Sequence, residues 1–326
     1  MKPFSYTRAD SSRAAVAALS SDRHAKFIGG GTNLLDLMKS GVEQPEQLVD
    51  INPIPLTNIE ELPGGGVRIG AMARNTYAAN HPLIRQRYPL LSQAFLSGAT
   101  QQLRNMATVG GNLMQRTRCY YFYDPATPCN KREPGSGCAA LKGFNRIHAI
   151  LGTSEECIAT HPSDMCVALA ALDAVVRVTG ANGDRQIPMS EFHRLPGDTP
   201  QLDTNLGEDE LITAVDLPPS PFAARSYYLK IRDRASYAFA LVSVAAALEI
   251  QGGTIKAARL AIGGVAHKPW RATEAEEILV GSSPNQEVFE QAAEAALQKA
   301  QPRQHNAFKA ELAKRAIVRT LSTVGE

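Results

Sequence analysis

The sequence predicts an α+β protein of two lobes followed by a C-terminal domain. Three observations predict it. Short apolar runs of strand length alternate with helical spacing up to about residue 220, prolines at 218, 219 and 221 then interrupt the chain, and three strand-like patterns followed by three helical ones close it. At 326 residues the chain can bury more than one core. A hydrophobic fraction of 44% and a charged fraction of 20% are those of a soluble globular protein. The net charge is +2 with both signs interspersed, which leaves no electrostatic footprint for nucleic acid. The longest apolar run, residues 237–250, is too short for a membrane helix. The charged N-terminal stretch shows no export signal, so if this chain is exported, a partner is expected to carry it.

Taken in order, "SRAAVAALSSD" has helical spacing, "AKFIGGG" is a strand running into glycines, and "TNLLDLMKSG" is a helix stopped by Gly41. "QLVDI" is the next strand, and "GGGVRIGAMA" is another that follows a glycine turn at residues 64–66. "HPLIRQRYPLLSQAFLSGA" reads as one helical segment, and "TVGGNL" is a second glycine turn. From residue 119 to about 157 periodicity disappears, and a run of that length inside a compact domain is usually functional or disordered. "MCVALAALDAVVRVTG" is a helix then a strand, and "DELITAVDLPP" is a strand. After the prolines, "SYYLKIRD", "SYAFALVSVAAALEI" and "TIKAARLAIGGVA" read as three strands, and the tail from residue 271 as three helices. The expected domains are 1–220, with lobes of about 1–60 and 61–220 and an insertion at about 116–158, and then 222–326.

"KFIGGGTNL", residues 26–34, is a strand that breaks into three glycines before a helix. Successive backbone N–H groups can turn inward there and bind an anion, with the helix N-terminus adding partial positive charge. It is not the dinucleotide fingerprint, because the third glycine of G-x-G-x-x-G falls on Leu34, and no Gly-Lys-Ser/Thr follows to make a P-loop. "ATVGGNL" offers Thr108, Gly110, Gly111 and Asn112 as a second nest, and two nests suit a pyrophosphate, which needs donors on both sides. The bland alternative is a pair of plain turns.

Of the five cysteines, Cys166 sits in an apolar helical run and reads as core. Cys119, Cys129, Cys138 and Cys157 lie in the aperiodic segment, and four thiolates are the ligand set of a tetrahedral zinc or an iron–sulfur cluster. No C-x₂₋₄-C pair of the kind usual in structural zinc sites is present, and two disulfides or unrelated free thiols remain open readings. Arg116, Arg118, Lys131 and Arg132 are expected to offset an anionic cluster, and Gly135 and Gly137 to let backbone N–H groups reach sulfur.

"KFIGGGTNLLDLM", "ATVGGNL", "HPSD", "ELITAVDLPP" and "YLKIRDRASYAFALVSVA" together resemble the FAD-binding subunits of molybdenum hydroxylases, over residues 3 to 320 or so. That group includes xanthine dehydrogenase, carbon monoxide dehydrogenase and aldehyde oxidoreductases. "RTRCYYFYDPATPCNKREPGSGC" is similar to the insertion of bacterial periplasmic aldehyde oxidoreductase flavoproteins, which carries an extra [4Fe–4S] cluster. The resemblance implies a two-lobed FAD-binding fold of the vanillyl-alcohol-oxidase type, then a domain with a three-stranded antiparallel sheet and helices. It implies FAD contacts from Lys26, Phe27, Ile28, Gly29, Gly30, Gly31, Thr32, Asn33 and Leu34, and facing contacts from Thr108, Gly111 and Asn112. Ser163 and Asp164 would meet the adenosine part, Ile212 the adenine, and Lys230 would lie near the flavin, with Tyr237 beside the isoalloxazine. Cys119, Cys129, Cys138 and Cys157 would be the cluster ligands.

The function implied is electron transfer within a heterotrimer. FAD would collect electrons from the [2Fe–2S] clusters of a small partner, which drain a molybdenum subunit that oxidises aldehydes, and would pass them to an external acceptor. No acid–base constellation in the sequence asks for a catalytic residue here. By the same resemblance the compartment would be the periplasm through co-export, with the cytoplasm as the alternative. Two rivals stand beside this reading: a self-contained FAD-dependent oxidase or reductase, and a metal-stabilised scaffold subunit whose glycine loops are only turns.

Overall fold

The computed structural model describes residues 1–22 and 24–326. The first sheet is parallel, with Gln47–Asp50 between Ser5–Arg8 and Ala25–Ile28. Parallel neighbours need crossovers, and the helices Ser12–Ser21 and Leu34–Lys39 supply them. Ser11 caps the first, accepting the Ala14 N–H at 3.3 Å. The loops after Ile28 and Asp50 therefore emerge together at the carboxyl ends of neighbouring strands, where open α/β sheets bind ligands.

The second sheet is antiparallel throughout, in the order Ile59–Glu61, Val67–Gly70, Leu211–Leu217, Val175–Gly180, Gly183–Pro188. Gly64 and Gly65, at φ +90° and +89°, make the hairpin turn expected at residues 64–66. The helices Pro89–Ser97 and Asp164–Ala171 pack in the core with this sheet. The single helix expected over residues 81–99 is two, Pro82–Arg87 and Pro89–Ser97. Pro89 has no N–H and bars the helical region to Tyr88, which sits at φ −134°, ψ 56°.

The third sheet has four strands where the sequence suggests three, in the order Trp270–Arg271, Thr254–Gly263, Val242–Gln251, Ser226–Ile231. The added strand is only two residues long, below what a hydrophobic pattern can reveal. Side chains alternate along Val242–Gln251. Ala245 and Ala247 join the core of the second sheet, while Val244, Ala246 and Leu248 face the helices Thr273–Leu279, Gln286–Leu297 and Phe308–Gly325. Small residues on one face let the helix Asp164–Ala171 approach, so the sheet is a layer between two sets of helices.

Residues 116–158 are mostly turns, with one short helix, Tyr120–Tyr123. They pack on the first lobe through Leu37 and Val42. They are tied to the loop between the last two helices by Arg303 with Glu155 at 2.8 Å, the His305 N–H to Asn145 Oδ1 at 3.0 Å, and Asn306 Nδ2 to the carbonyls of His148 and Ala149. The insertion is thus ordered by contacts on both sides rather than by its own hydrogen-bond ladder.

Candidate functional site

The two glycine loops meet face to face. A Cβ on Gly30 would lie 2.1 Å from the Met106 carbonyl oxygen, so only glycine admits this crossing, and a Cβ on Gly29 would stand 3.3 Å from Thr108 Oγ1. Asn33 locks the arrangement by accepting the Arg116 N–H on Oδ1 at 2.8 Å. Its Nδ2 is buried with no partner among the described residues. The N–H groups of Gly30, Gly31, Thr32 and Asn33 likewise have no intramolecular acceptor among the described residues. This is the donor set of an anion cradle, and the orphaned Asn33 amide fits a diphosphate group there.

The second loop differs from the nest the sequence suggests. The Val109 and Gly110 N–H groups donate to the carbonyls of Ala73 and Ala71, Gly111 donates to Thr108 Oγ1, and Asn112 to the Thr108 carbonyl. All four amides are engaged, because Thr108 caps a short helix, Val109–Leu113. The paired glycines divide the work. Gly110 packs against Ala71, while Gly111 is exposed. Asn112 meets Ser163, whose hydroxyl donates to Asn112 Oδ1 at 2.7 Å, so two residues 51 apart in sequence share one side of the site.

Ser163, not Asp164, caps the helix Asp164–Ala171, accepting the Cys166 N–H at 3.1 Å. Asp164 is instead buried in a pair with Lys230, Nζ to Oδ2 at 2.8 Å, and accepts the Tyr228 hydroxyl on Oδ1 at 2.8 Å. Lys230 also donates to the Ser97 carbonyl. Burial and the Asp164 carboxylate push the Tyr228 hydroxyl well above its ordinary pKa, so it stays a donor. Ile212 lies in the core of the five-stranded sheet, opposite Val178. Lys26 is exposed with Glu43 at 3.0 Å, while Phe27, Ile28, Thr32 and Leu34 are half-buried along the cradle. Tyr237 is exposed at φ +50°, with the Arg234 guanidinium over its ring. Sequence reasoning missed Asn52 and Arg74. Asn52 Nδ2 donates to the Gly29 carbonyl at 3.0 Å, Arg74 donates to Asn52 Oδ1 at 2.9 Å, and both line a cleft with Met72 and Tyr77. Neither residue sits in a motif, so no local signal could have found them.

Cys119, Cys129, Cys138 and Cys157 line one small cavity and all are free thiols, although Cys129 and Cys138 face each other in an antiparallel bridge. Cys166 is elsewhere, in the core of the second sheet, with its sulfur and nitrogens of His161 and His193 within 4.8 Å of one another. No three of the four cavity sulfurs lie that close among the described residues. Zn–S bonds near 2.3 Å put tetrahedral sulfurs about 3.8 Å apart. The four-cysteine set is therefore too wide for one ion as it stands, and its all-thiol donor set suits a larger cluster. Burial pushes the Cys119 thiol up to about 12 and Cys157 to about 11, with neighbouring cysteines adding to both. Assembly of a cluster must displace those protons.

The cations expected to offset an anionic cluster already have partners. Arg116 is paired with Glu43 at 2.7 Å and Asp203 at 2.8 Å, and Lys131 is buried against the same Asp203. Arg118 pairs with Asp36, and Arg132 donates to the carbonyls of Tyr121 and Phe122. These side chains hold the loops. The glycine expectation also changes, since the Gly137 N–H donates to Asn130 Oδ1 at 2.7 Å rather than to a sulfur. The donors nearest sulfur are the Ala159 N–H, 3.4 Å from Cys157 Sγ, and His148 Nε2, 3.1 Å from Cys119 Sγ.

The family described as the FAD binding domain in molybdopterin dehydrogenase matches residues 2–220, and the CO dehydrogenase flavoprotein C-terminal domain matches residues 227–324. The chain is 52% identical to the aldehyde oxidoreductase FAD-binding subunit of Escherichia coli K12, over 99% of this chain and 98% of the relative. It is 30% identical to the glyceraldehyde dehydrogenase medium chain of Sulfolobus acidocaldarius, over 87% of this chain and 84% of the relative. Its fold matches a chain of the carbon monoxide dehydrogenase of Hydrogenophaga pseudoflava with a TM-score of 0.77 at 28% identity, covering 99% and 97% of the two chains.

Proposed function

Because the chain belongs to the family of FAD-binding subunits of molybdenum hydroxylases, which are oxidoreductases, we propose that it is the electron-transfer flavoprotein subunit of an aldehyde oxidoreductase that also holds a [4Fe–4S] cluster. Bound FAD supplies a carrier that exchanges electrons singly or in pairs. The amides of residues 30–33 and Asn33 Nδ2 hold its diphosphate, and the close packing of Gly30 on Met106 fixes the cradle's width. Asn112 and Ser163 orient the nucleotide from the far side. The Asp164–Lys230 pair braces the helix cap that Ser163 provides. No residue of this chain needs to move a proton for that task.

The single observation that carries the cluster is the convergence of four free cysteines from residues 119, 129, 138 and 157 on one cavity, in a chain with only five. The partners proposed are a small subunit with [2Fe–2S] clusters, a large molybdenum-cofactor subunit and an external electron acceptor. Placement in the periplasm, on a partner's export signal, is part of the same proposal. Replacing Cys129→Ser tests the ligand set. The variant is expected to lose iron and the broad visible absorption of the cluster while keeping its FAD bands, and an unchanged iron content would reject the assignment.

A further inference from the structure

We propose that His148 sets the electron affinity of the cluster held by the four cysteines, by donating its Nε2–H to the sulfur of Cys119. The inference rests on the cluster reading above. His148 Nε2 stands 3.1 Å from Cys119 Sγ, and neither side chain is open to water. A cluster-bound thiolate carries no proton and can only accept, so the N–H of the bond belongs to the imidazole. Nδ1 makes no hydrogen bond among the described residues, although the Asn145 carbonyl also faces the ring.

The ring is held for this contact. Asn306 Nδ2 and Lys309 Nζ both donate to the His148 carbonyl, at 3.2 and 2.9 Å, and Lys309 also binds the carbonyls of Ile147 and Gly264. Tyr120 and Tyr121 flank the imidazole at centroid distances of 6.5 and 6.2 Å. Lys309 is fully buried, and no carboxylate pairs with it among the described residues. Its amine lies behind the His148 carbonyl, and burial pushes its pKa down to about 7. Arg116 and Lys131, by contrast, are neutralised by Glu43 and Asp203. Among the described residues His148 is the side-chain donor to a cavity sulfur, while backbone N–H groups, those of Tyr121 and Phe122 at Cys119 and of Ala159 at Cys157, also face sulfur.

Reduction adds one electron to the cluster, and part of its charge falls on the ligand sulfurs. An N–H aimed at sulfur in a dry cavity stabilises that reduced form more than the oxidised one. Losing the bond should make the cluster harder to reduce, with the oxidised form gaining tenfold or more over the reduced form. For a one-electron couple each tenfold is about 59 mV. No proton transfer is required, and the electron comes from dithionite in the test.

The full chain is purified without oxygen, its iron and acid-labile sulfide are measured, and the cluster is titrated with dithionite and followed by its EPR signal. His148→Phe keeps a planar ring without a donor, and His148→Gln keeps an N–H. The expected result is a midpoint shifted to more negative potential in the first and at least partly restored in the second. A His148→Phe chain with full iron that titrates at the unaltered potential overturns the inference alone, as does a Gln variant shifted as far as the Phe variant. An unaltered chain with no iron overturns the cluster reading and this inference with it. Pulsed EPR of the unaltered reduced chain, labelled with ¹⁵N-histidine, covers variants that fail to assemble. Nitrogen coupling to the cluster spin supports the bond, and its absence rejects it.

Discussion

Asp164 and Lys230 show how two side chains far apart in sequence satisfy each other in the interior. Both are nearly inaccessible, and each satisfies the other, with Tyr228 and the Ser97 carbonyl completing the shell. Removing one partner of such a pair leaves a buried charge, at a cost of about 3–5 kcal/mol, whereas removing both is far milder. Lys230→Met is therefore expected to lower the melting temperature by several degrees, and adding Asp164→Asn should recover most of it, since Asn still accepts the Tyr228 hydroxyl. A double variant no more stable than the single one would contradict this pairing. The glycines of residues 29–31 were legible in the sequence because a strand broken by three glycines permits few backbone paths. The Asp164–Lys230 pair was not, because nothing local links residues 66 positions apart.

At the scale of elements, a layer of buried histidines joins the second glycine loop to the insertion and to the third sheet. His193 Nε2 lies 2.9 Å from the Leu113 carbonyl and its ring stacks near His161. His267 Nδ1 lies 2.9 Å from the Arg194 carbonyl, with Asp203 at 3.9 Å and Lys131 on the same carboxylate. Burial holds the pKa of His193 and of His267 down at about 4, and Lys131 reinforces it at His267. The unfolded chain would protonate them near 6.5, so between pH 6.5 and 4 it binds more protons than the folded one. Their stabilisation is complete above pH 6.5 and is lost as the pH falls toward 4, by on the order of 3 kcal/mol for each. Asp203, held well below the usual carboxylate range against its own burial by Lys131 and Arg116, keeps its charge through that window. Urea midpoints should fall steadily from pH 7 to pH 4.5, and a flat profile would show that these rings titrate normally.

The same scale explains which elements the sequence left out. The strands Ser5–Arg8 and Gly183–Pro188 are almost wholly exposed, so they carry no alternation to read. The central strand Val242–Gln251 was plain because both of its faces are buried and its run is unbroken. The insertion was legible only as an absence of period and a concentration of cysteine. Its anchors, Asn306 and Lys309, lie in the turn before and the first turn of a helix that reads from its sequence as an ordinary amphipathic tail.

At the scale of the whole molecule, three sheets and their helices converge on residues 116–158. Arg116 reaches Asn33 in the glycine cradle through its backbone N–H and Asp203 through its guanidinium, while Asn145 reaches the loop before the last helix and His148 that loop and Lys309 of the helix. The proposed cluster would thus sit where the flavin lobe and the C-terminal domain are joined, one loop away from the diphosphate cradle. Four cysteines placed there at random would have no reason to share a cavity. The most direct test is the content of FAD, iron and acid-labile sulfide in the unaltered chain purified without oxygen. FAD together with iron and sulfide in the proportions of one [4Fe–4S] cluster per flavin is the result expected. Stoichiometric FAD with no iron would contradict it, and leave the four cysteines as packing thiols in a flavin carrier.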